Sequence, residues 1–425
     1  MWHDRDARSV SGQRTAARGD PPTAEQYDLI VVGGGIAGSS LAGKVAASGA
    51  SVLILERETE FRDRIRGEWV APWGVIELER LGTIELLRER ANAHDLPRNH
   101  AGVFALRGDP EPLAERTKVQ RGALSFFHPE AQEALLTWAA EQGAEVIRGA
   151  RVTAVQGGDT PSVEWSGEGA STAVGWLIVG ADGRTSMVRQ EIDHPEERHG
   201  NTRLWAGVRL TNLNWPSDTG LQLFDPLTSH QTAMFPQQDG SARVYLGFAG
   251  EDRTRLSGER DLGTFLAGVT KLFGDRDVFS EAEAVGPLAT FEAEMRWIRT
   301  PYEDGLAVIG DASGYTDPTF GQGLSLGFRD ARVLSEALAT TEDWRAAAAS
   351  YAEEHDRYFD AVVQYETWSE ELLLTGGPEA DATRARVFPA WGEDRSRNPN
   401  AGFDGPDFVA DEEARRRYFA LDLVE

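Results

Sequence analysis

Residues 27–56 carry the pattern that most limits what this chain can become. A short β-rich run, YDLIVV, leads into GGGIAGSSLAGKVAASG and then into a second apolar run, ASVLILE. Gly33, Gly35 and Gly38 form G-x-G-x-x-G between a strand and a helix. Glu56 ends the second strand, roughly 20 residues on, where an acid that binds a ribose is expected. Gly33 permits the tight turn, Gly35 lets a pyrophosphate approach the backbone, and Gly38 lets helix and strand pack closely. The N–H groups at the helix start face the phosphates. The pattern suits NAD and FAD alike. It occurs once, so a second complete dinucleotide domain is not expected.

The rest of the chain extends this reading. SFFHPEAQEALLTWAAEQGAEVIRG reads as a helix, a stop at Gly143 and a strand, and GWLIVGADG as an apolar strand ending in a turn. Residues 75–95 read as helical. Alternating strands and helices imply a parallel sheet covered by helices. From about Asn201 to Glu283 the apolar residues cluster around turn pairs, which predicts antiparallel strands with a hairpin at Asp239-Gly240. Strand–helix texture returns at GLAVIGDA. A long helix is expected over 341–374, with Tyr351, His355, Tyr358, Val362, Tyr365 and Leu372 on one packed stripe and a stop at Gly376. His355 reads as a packed residue, not a metal ligand. Irregular chain should follow, then a short helix near DEEARRRYFAL.

Composition removes several function classes. The formal charge is −26, against binding to nucleic acid or an anionic membrane surface. The sequence has no cysteine, which excludes disulfides, thiolate metal sites and a cysteine nucleophile. No metal site is expected. The first 26 residues lack the apolar core of a secretory signal and read as a disordered leader, leaving the cytoplasm as the expected location.

Two further stretches choose between the cofactors. LIVGADGRTSMVR, residues 177–189, runs a strand into Asp182 and Gly183. GDASGYTDPTFGQGLSLGFRDA, residues 310–331, places Gly310 and Asp311 at a strand end and then concentrates glycine before a helix. With the fingerprint and LERETEFRDRIRGE, these resemble, in order and spacing, the single-component flavoprotein monooxygenases of the p-hydroxybenzoate hydroxylase type. The resemblance frames residues 27–331. It implies an α/β fold: a Rossmann-like FAD-binding domain, an inserted antiparallel β-sheet substrate domain and a C-terminal helical segment. The FAD-binding domain is expected over 27–100, 122–199 and 287–340, the substrate domain over 101–121 and 200–286, and the C-terminal segment over 341–425.

The resemblance also implies roles. Glu56, with Arg57 beside it, would bind the adenosine ribose, and Arg64 or Arg66 the pyrophosphate of non-covalent FAD. Asp182 and Gly183 would lie near the flavin and the nicotinamide donor, NADPH or NADH. Asp311, after Gly310, would hold the ribityl chain, and Gln132 would contact the flavin. Pro318, Gly321, Gln322, Gly323 and Leu324 would lie against the isoalloxazine, the first four carrying the reaction. Bare backbone at Gly321 and Gly323 suits a flat ring, and a helix starting near Gln322 favours the negative charge of reduced flavin.

The chemistry so implied is oxygen transfer from a flavin C4a-hydroperoxide to an electron-rich, aromatic or polyketide-like small molecule, with O₂ as co-substrate. Trp69, Trp73, Trp205, Phe224, Phe235, Tyr245 and Trp297 are the expected aromatic wall. His128 and Arg209 are polar groups near it, without an assigned role. GDASGYTDP also resembles flavin-dependent halogenases. Those enzymes have a Trp-x-Trp-x-Ile-Pro segment and an active lysine that this chain lacks. A dehydrogenase or prenyl-lipid reductase on the same scaffold is the other alternative. Oligomeric state stays open.

Overall fold

The computed structural model describes residues 25–249 and 254–424. The expected leader falls almost wholly outside these residues.

The Glu25–Val32 strand is the centre of the first sheet. It pairs in parallel with Val52–Glu56 on one side and with Ser171–Gly180 on the other. Glu145–Arg148 and Leu306–Val308 extend the parallel sheet outward. Leu29, Ile30, Val31, Leu53 and Ile54 are fully buried. Such runs, apolar on both faces, are what a helix-covered parallel strand requires. The helices Ile36–Ala46, His128–Glu141 and Gly323–Thr340 pack together on one face. Because the strands are parallel, their carboxyl ends, at Gly33, Glu56, Ala181 and Ile309, all emerge on one edge.

The second sheet has nine strands and is mostly antiparallel. Its central members are Ala289–Ile298, Glu196–Thr211, Ala242–Ala249, His230–Pro236 and Thr219–Asp225, the hairpin turning at Gly240 with φ +81°. Strand parity sorts its side chains. Leu204, Ala206, Val208, Val244 and Leu246 pack under the Leu262–Thr270 helix with Phe265 and Val269. Trp205, Ala233, Phe235, Tyr245 and Met295 face the other way, toward the first domain.

Residues 75–95 form two helices, Pro72–Leu81 and Ile84–Arg90, and a short strand, His94–Leu96. Gly82, at φ +76°, ends the first helix. The long helix spans Trp344–Leu373 with its expected stripe buried. The irregular chain expected after Gly376 is instead opened by a helix, Pro378–Glu393. Pro378 occupies its first turn, where proline costs nothing, and Ala380, Arg384, Val387 and Ala390 form its buried face. Among the described residues no helix is long and apolar enough to cross a membrane.

Candidate functional site

The carboxyl ends of the parallel strands open into a cavity of about 980 Å³ that runs from the glycine fingerprint to the underside of the second sheet. At its near end, Gly33 has φ +106°, and a Cβ there would stand 2.4 Å from the Ala181 carbonyl oxygen. Gly35 lines the cavity. Gly38 does not: it lies behind, where a Cβ would be 2.1 Å from the Gly33 oxygen. Glu56 lines it with both carboxylate oxygens anchored, accepting from Gly34 N and Glu58 N at 2.7 Å each.

Arg57, Arg64 and Arg66 also line this end, with Gln132 opposite. Arg64 pairs with Glu58 at 2.9 Å. Burial holds the Arg66 guanidinium below the ordinary arginine pKa, partly offset by the charge of Asp311. Asp311 lies 3.5 Å from Arg184, whose guanidinium sits 4.5 Å over the Tyr315 ring. Asp182 and Gly183 face the middle of the cavity. One Asp182 oxygen accepts from Met187 N at 2.7 Å; the other is buried with no partner among the described residues. Burial raises its pKa.

The stretch from Pro318 to Leu324 forms the floor. Its two glycines differ in purpose. Gly321 has φ +67°, and a Cβ there would be 2.7 Å from the Trp69 ring, so its missing side chain makes room for an indole. Gly323 has nothing within 4 Å and opens onto the cavity. Gln322 points away from it: its Oε1 accepts from Trp73 Nε1 at 2.9 Å and its Nε2 donates to Gly402 O at 3.2 Å. The Gly323–Thr340 helix has no side-chain cap, which leaves its first N–H groups for a ligand.

Sequence reasoning passed over Asp330. It is buried within that helix, accepts from Gly310 N at 2.6 Å and from the Ser313 hydroxyl at 3.3 Å, and also receives Tyr358 Oη–H. It thereby fixes the turn that presents Asp311. The available signal was an acid on the apolar face of a helix.

At the far end, Trp69, Trp205, Phe235 and Tyr245 line the cavity, and Trp73, Phe224 and Trp297 do not. Trp73 is turned toward Gln322. Trp297 packs on Phe359, 5.8 Å between ring centroids. Phe224 shares its strand face with the cavity-lining Gln222 but lies two residues further out. His128 lines the cavity. It donates from Nδ1 to Gly67 O at 2.8 Å, and burial pushes its pKa down to about 4, so the ring is neutral at pH 7 with Nε2 as an acceptor. Arg209 lies outside, 4.4 Å over the Phe127 ring.

These features fit FAD. Arginines gather beside the fingerprint, Gly323 leaves an open bed, and Asp182 keeps a buried oxygen without a partner. Among the described residues no cluster of His, Asp and Glu is arranged to hold a metal.

Residues 26–365 match the family of FAD-binding domains. This chain belongs to that family, as a flavoprotein monooxygenase. It is 26% identical over 404 residues to kynurenine 3-monooxygenase of Salinispora arenicola, covering 85% of each chain. It is 30% identical over 331 residues to the 12-dehydrotetracycline 5-monooxygenase/anhydrotetracycline 6-monooxygenase of Streptomyces rimosus, covering 74% of this chain and 63% of that one. The p-nitrophenol 4-monooxygenase of Pseudomonas putida superposes with a TM-score of 0.73 at 19% identity, over 91% of this chain and all of the other, which shows the shared fold.

Behind the floor of the monooxygenase cavity, a small recess is lined by His199, Asp317, Glu366 and Glu370 among others. Glu366 is buried and neither oxygen has a hydrogen-bond partner among the described residues. Burial first, and then the charges of Asp317 and Glu370, push its pKa well above the usual carboxyl value. A carboxyl with a raised folded pKa binds more proton folded than unfolded, so its contribution falls as pH rises, by at most about 1.4 kcal/mol per pH unit. Glu366→Gln should therefore flatten the decline of melting temperature above pH 5, with the gain over wild type growing toward pH 8 in a thermal-shift series.

Proposed function

We propose that this FAD-dependent monooxygenase draws electrons from NAD(P)H and places one oxygen atom of O₂ on a neutral, flat, electron-rich aromatic or polyketide-like molecule. The observation that carries this reading is the continuity of the cavity, from the fingerprint to an aromatic end beneath the second sheet.

Glu56 would hold the adenosine ribose, Arg66 with Arg57 and Arg64 the pyrophosphate, and Asp311 the ribityl chain. Asp182 and Gly183, which line the middle of the cavity, would face the flavin and the nicotinamide donor. When bound, FAD supplies two-electron chemistry and the activation of O₂. The chain's own work is to orient the substrate and keep water out. Trp69, Trp205 and Phe235 supply flat apolar walls, and Gln222 supplies hydrogen-bonding groups.

Neutrality of the substrate follows from the charges. Arg243, the cation behind the aromatic end, is fully buried and already bound to Glu68 and Asp63. Among the described cavity residues, no strand of the second sheet contributes a lysine or arginine; Arg203, two residues from Trp205, lies outside the lining and donates to Ser229 O at 3.0 Å. A carboxylate placed at the aromatic end would meet Glu68. No lysine is among the described cavity residues, which counts against the halogenase alternative. Dependence on a nicotinamide donor suits a cytoplasmic setting.

Turnover of a panel of neutral arenes and their carboxylated analogues with NAD(P)H under ¹⁸O₂ tests the proposal. One labelled oxygen per product, on neutral compounds, is expected. NAD(P)H-dependent flavin reduction without label in any product would point to the dehydrogenase or reductase alternative. Arg66→Ala should weaken FAD binding by about 10–100-fold, the worth of one charge-assisted contact, as read by titrating the apoprotein with FAD and following flavin fluorescence.

A further inference from the structure

Residues 395–408 lie beyond residue 365, where the family match ends, and none of them lines the cavity, yet Phe403 packs behind Trp69, one of its aromatic walls. Trp69 forms the wall there. Its ring stacks on Phe235 at 5.4 Å and 18°, and the turn at Gly321 bears on it from another side. A further support is Phe403, which meets the Trp69 ring edge-on, 5.9 Å between centroids at 83°.

The segment that carries Phe403 is fastened on both sides. Asp404 accepts from Lys118 N at 2.5 Å and from Asn400 Nδ2 at 3.0 Å. Asp407 pairs with Arg329 at 2.6 Å and with Arg357 at 3.1 Å. Gly402 O takes the Gln322 side chain, joining the segment to the cavity floor. Gly405 lies against Trp73, with room for no more than a tight Cβ at 3.1 Å.

We propose that Phe403 is a specificity-determining residue: by bracing Trp69 it sets how long a flat molecule the cavity admits. This rests on the reading of the cavity as an aromatic substrate site. Close-packed interiors leave a void when a ring is removed. Truncating Phe403 removes one phenyl ring and lets the indole turn into the space, so the cavity should lengthen by about one fused ring.

The test uses full-length, FAD-loaded protein and reads binding, through the change in flavin absorbance on titration with phenol, 2-naphthol, 2-hydroxyanthracene and a hydroxytetracene. In wild type one ring number should bind best. In Phe403→Ala that preference should move up by one ring, with a relative gain of at least tenfold for the longer ligand. Phe403→Leu should keep the wild-type order, and Phe403→Trp should move it down, which preserves the test should the alanine variant fail to hold FAD. An unchanged order, or uniform weakening of all four ligands, overturns the role of Phe403 alone. Absence of any response in wild type overturns the substrate-site reading and this proposal with it.

Discussion

Replacing Arg243 with methionine should cost about 3–5 kcal/mol, because it leaves charge buried without its partner. Arg243 has no exposed surface. Its Nε meets Glu68 at 2.9 Å, and its Nη2 meets Glu68 at 3.0 Å and both Asp63 oxygens at 2.9 Å. Burial opposes the guanidinium charge, but Glu68 outweighs it and holds the pKa above the ordinary arginine value. Glu68 is further fixed by Gln237 Nε2 at 2.6 Å and His128 N at 3.2 Å. The melting temperature should fall by roughly 3–6 °C. In the variant, Glu68 must take up a proton to stay buried, so the loss should be larger at pH 8 than at pH 5. Pairing the change with Glu68→Gln should restore part of the loss, and calorimetry at the two pH values reads both effects. Asp63 precedes the Arg64–Arg66 pair and Arg243 stands on the second sheet. The triad therefore ties the arginine-bearing segment to the second sheet, and the variant should also bind FAD more weakly.

Gly38→Val should yield a folded but colourless protein. Any side chain at this position places Cβ 2.1 Å from the Gly33 oxygen, 2.9 Å from Ala181 Cβ and 3.1 Å from Val31 Cγ1. The Ile36–Ala46 helix must move off the strand, carrying with it the N–H groups that face the cavity. Overpacking costs about 1–3 kcal/mol in the fold, which a core of this size survives. FAD affinity should drop by about 100-fold, equivalent to roughly 2.8 kcal/mol. Circular dichroism close to wild type with no flavin absorbance is the expected pair of results. A yellow protein with wild-type affinity would show that the fingerprint does not cradle the dinucleotide.

Much of the site was legible because its signals are local. A glycine turn between strand and helix is complete within a dozen residues, and Glu56 is carried by the adjacent parallel strand. Gly310 and Asp311 end another such strand. The aromatic wall was not legible in the same way. Trp69, Trp205, Phe235 and Tyr245 come from separate segments, and Trp73 and Trp297 look no different in sequence. Gln322 sits among residues of the cavity floor and yet turns outward to Trp73 and Gly402.

The sequence by itself determined the nucleotide half of this enzyme, since backbone conformation and close approach at glycine are decided by neighbours in the chain. Only the tertiary structure decided the aromatic half of the cavity. Strand parity chooses the face a side chain takes, and long-range pairing chooses which face meets the cavity. Arg243 could be recognised as spent, and Phe403 as a brace, only once Glu68 and Trp69 had been brought to them from far away in the chain.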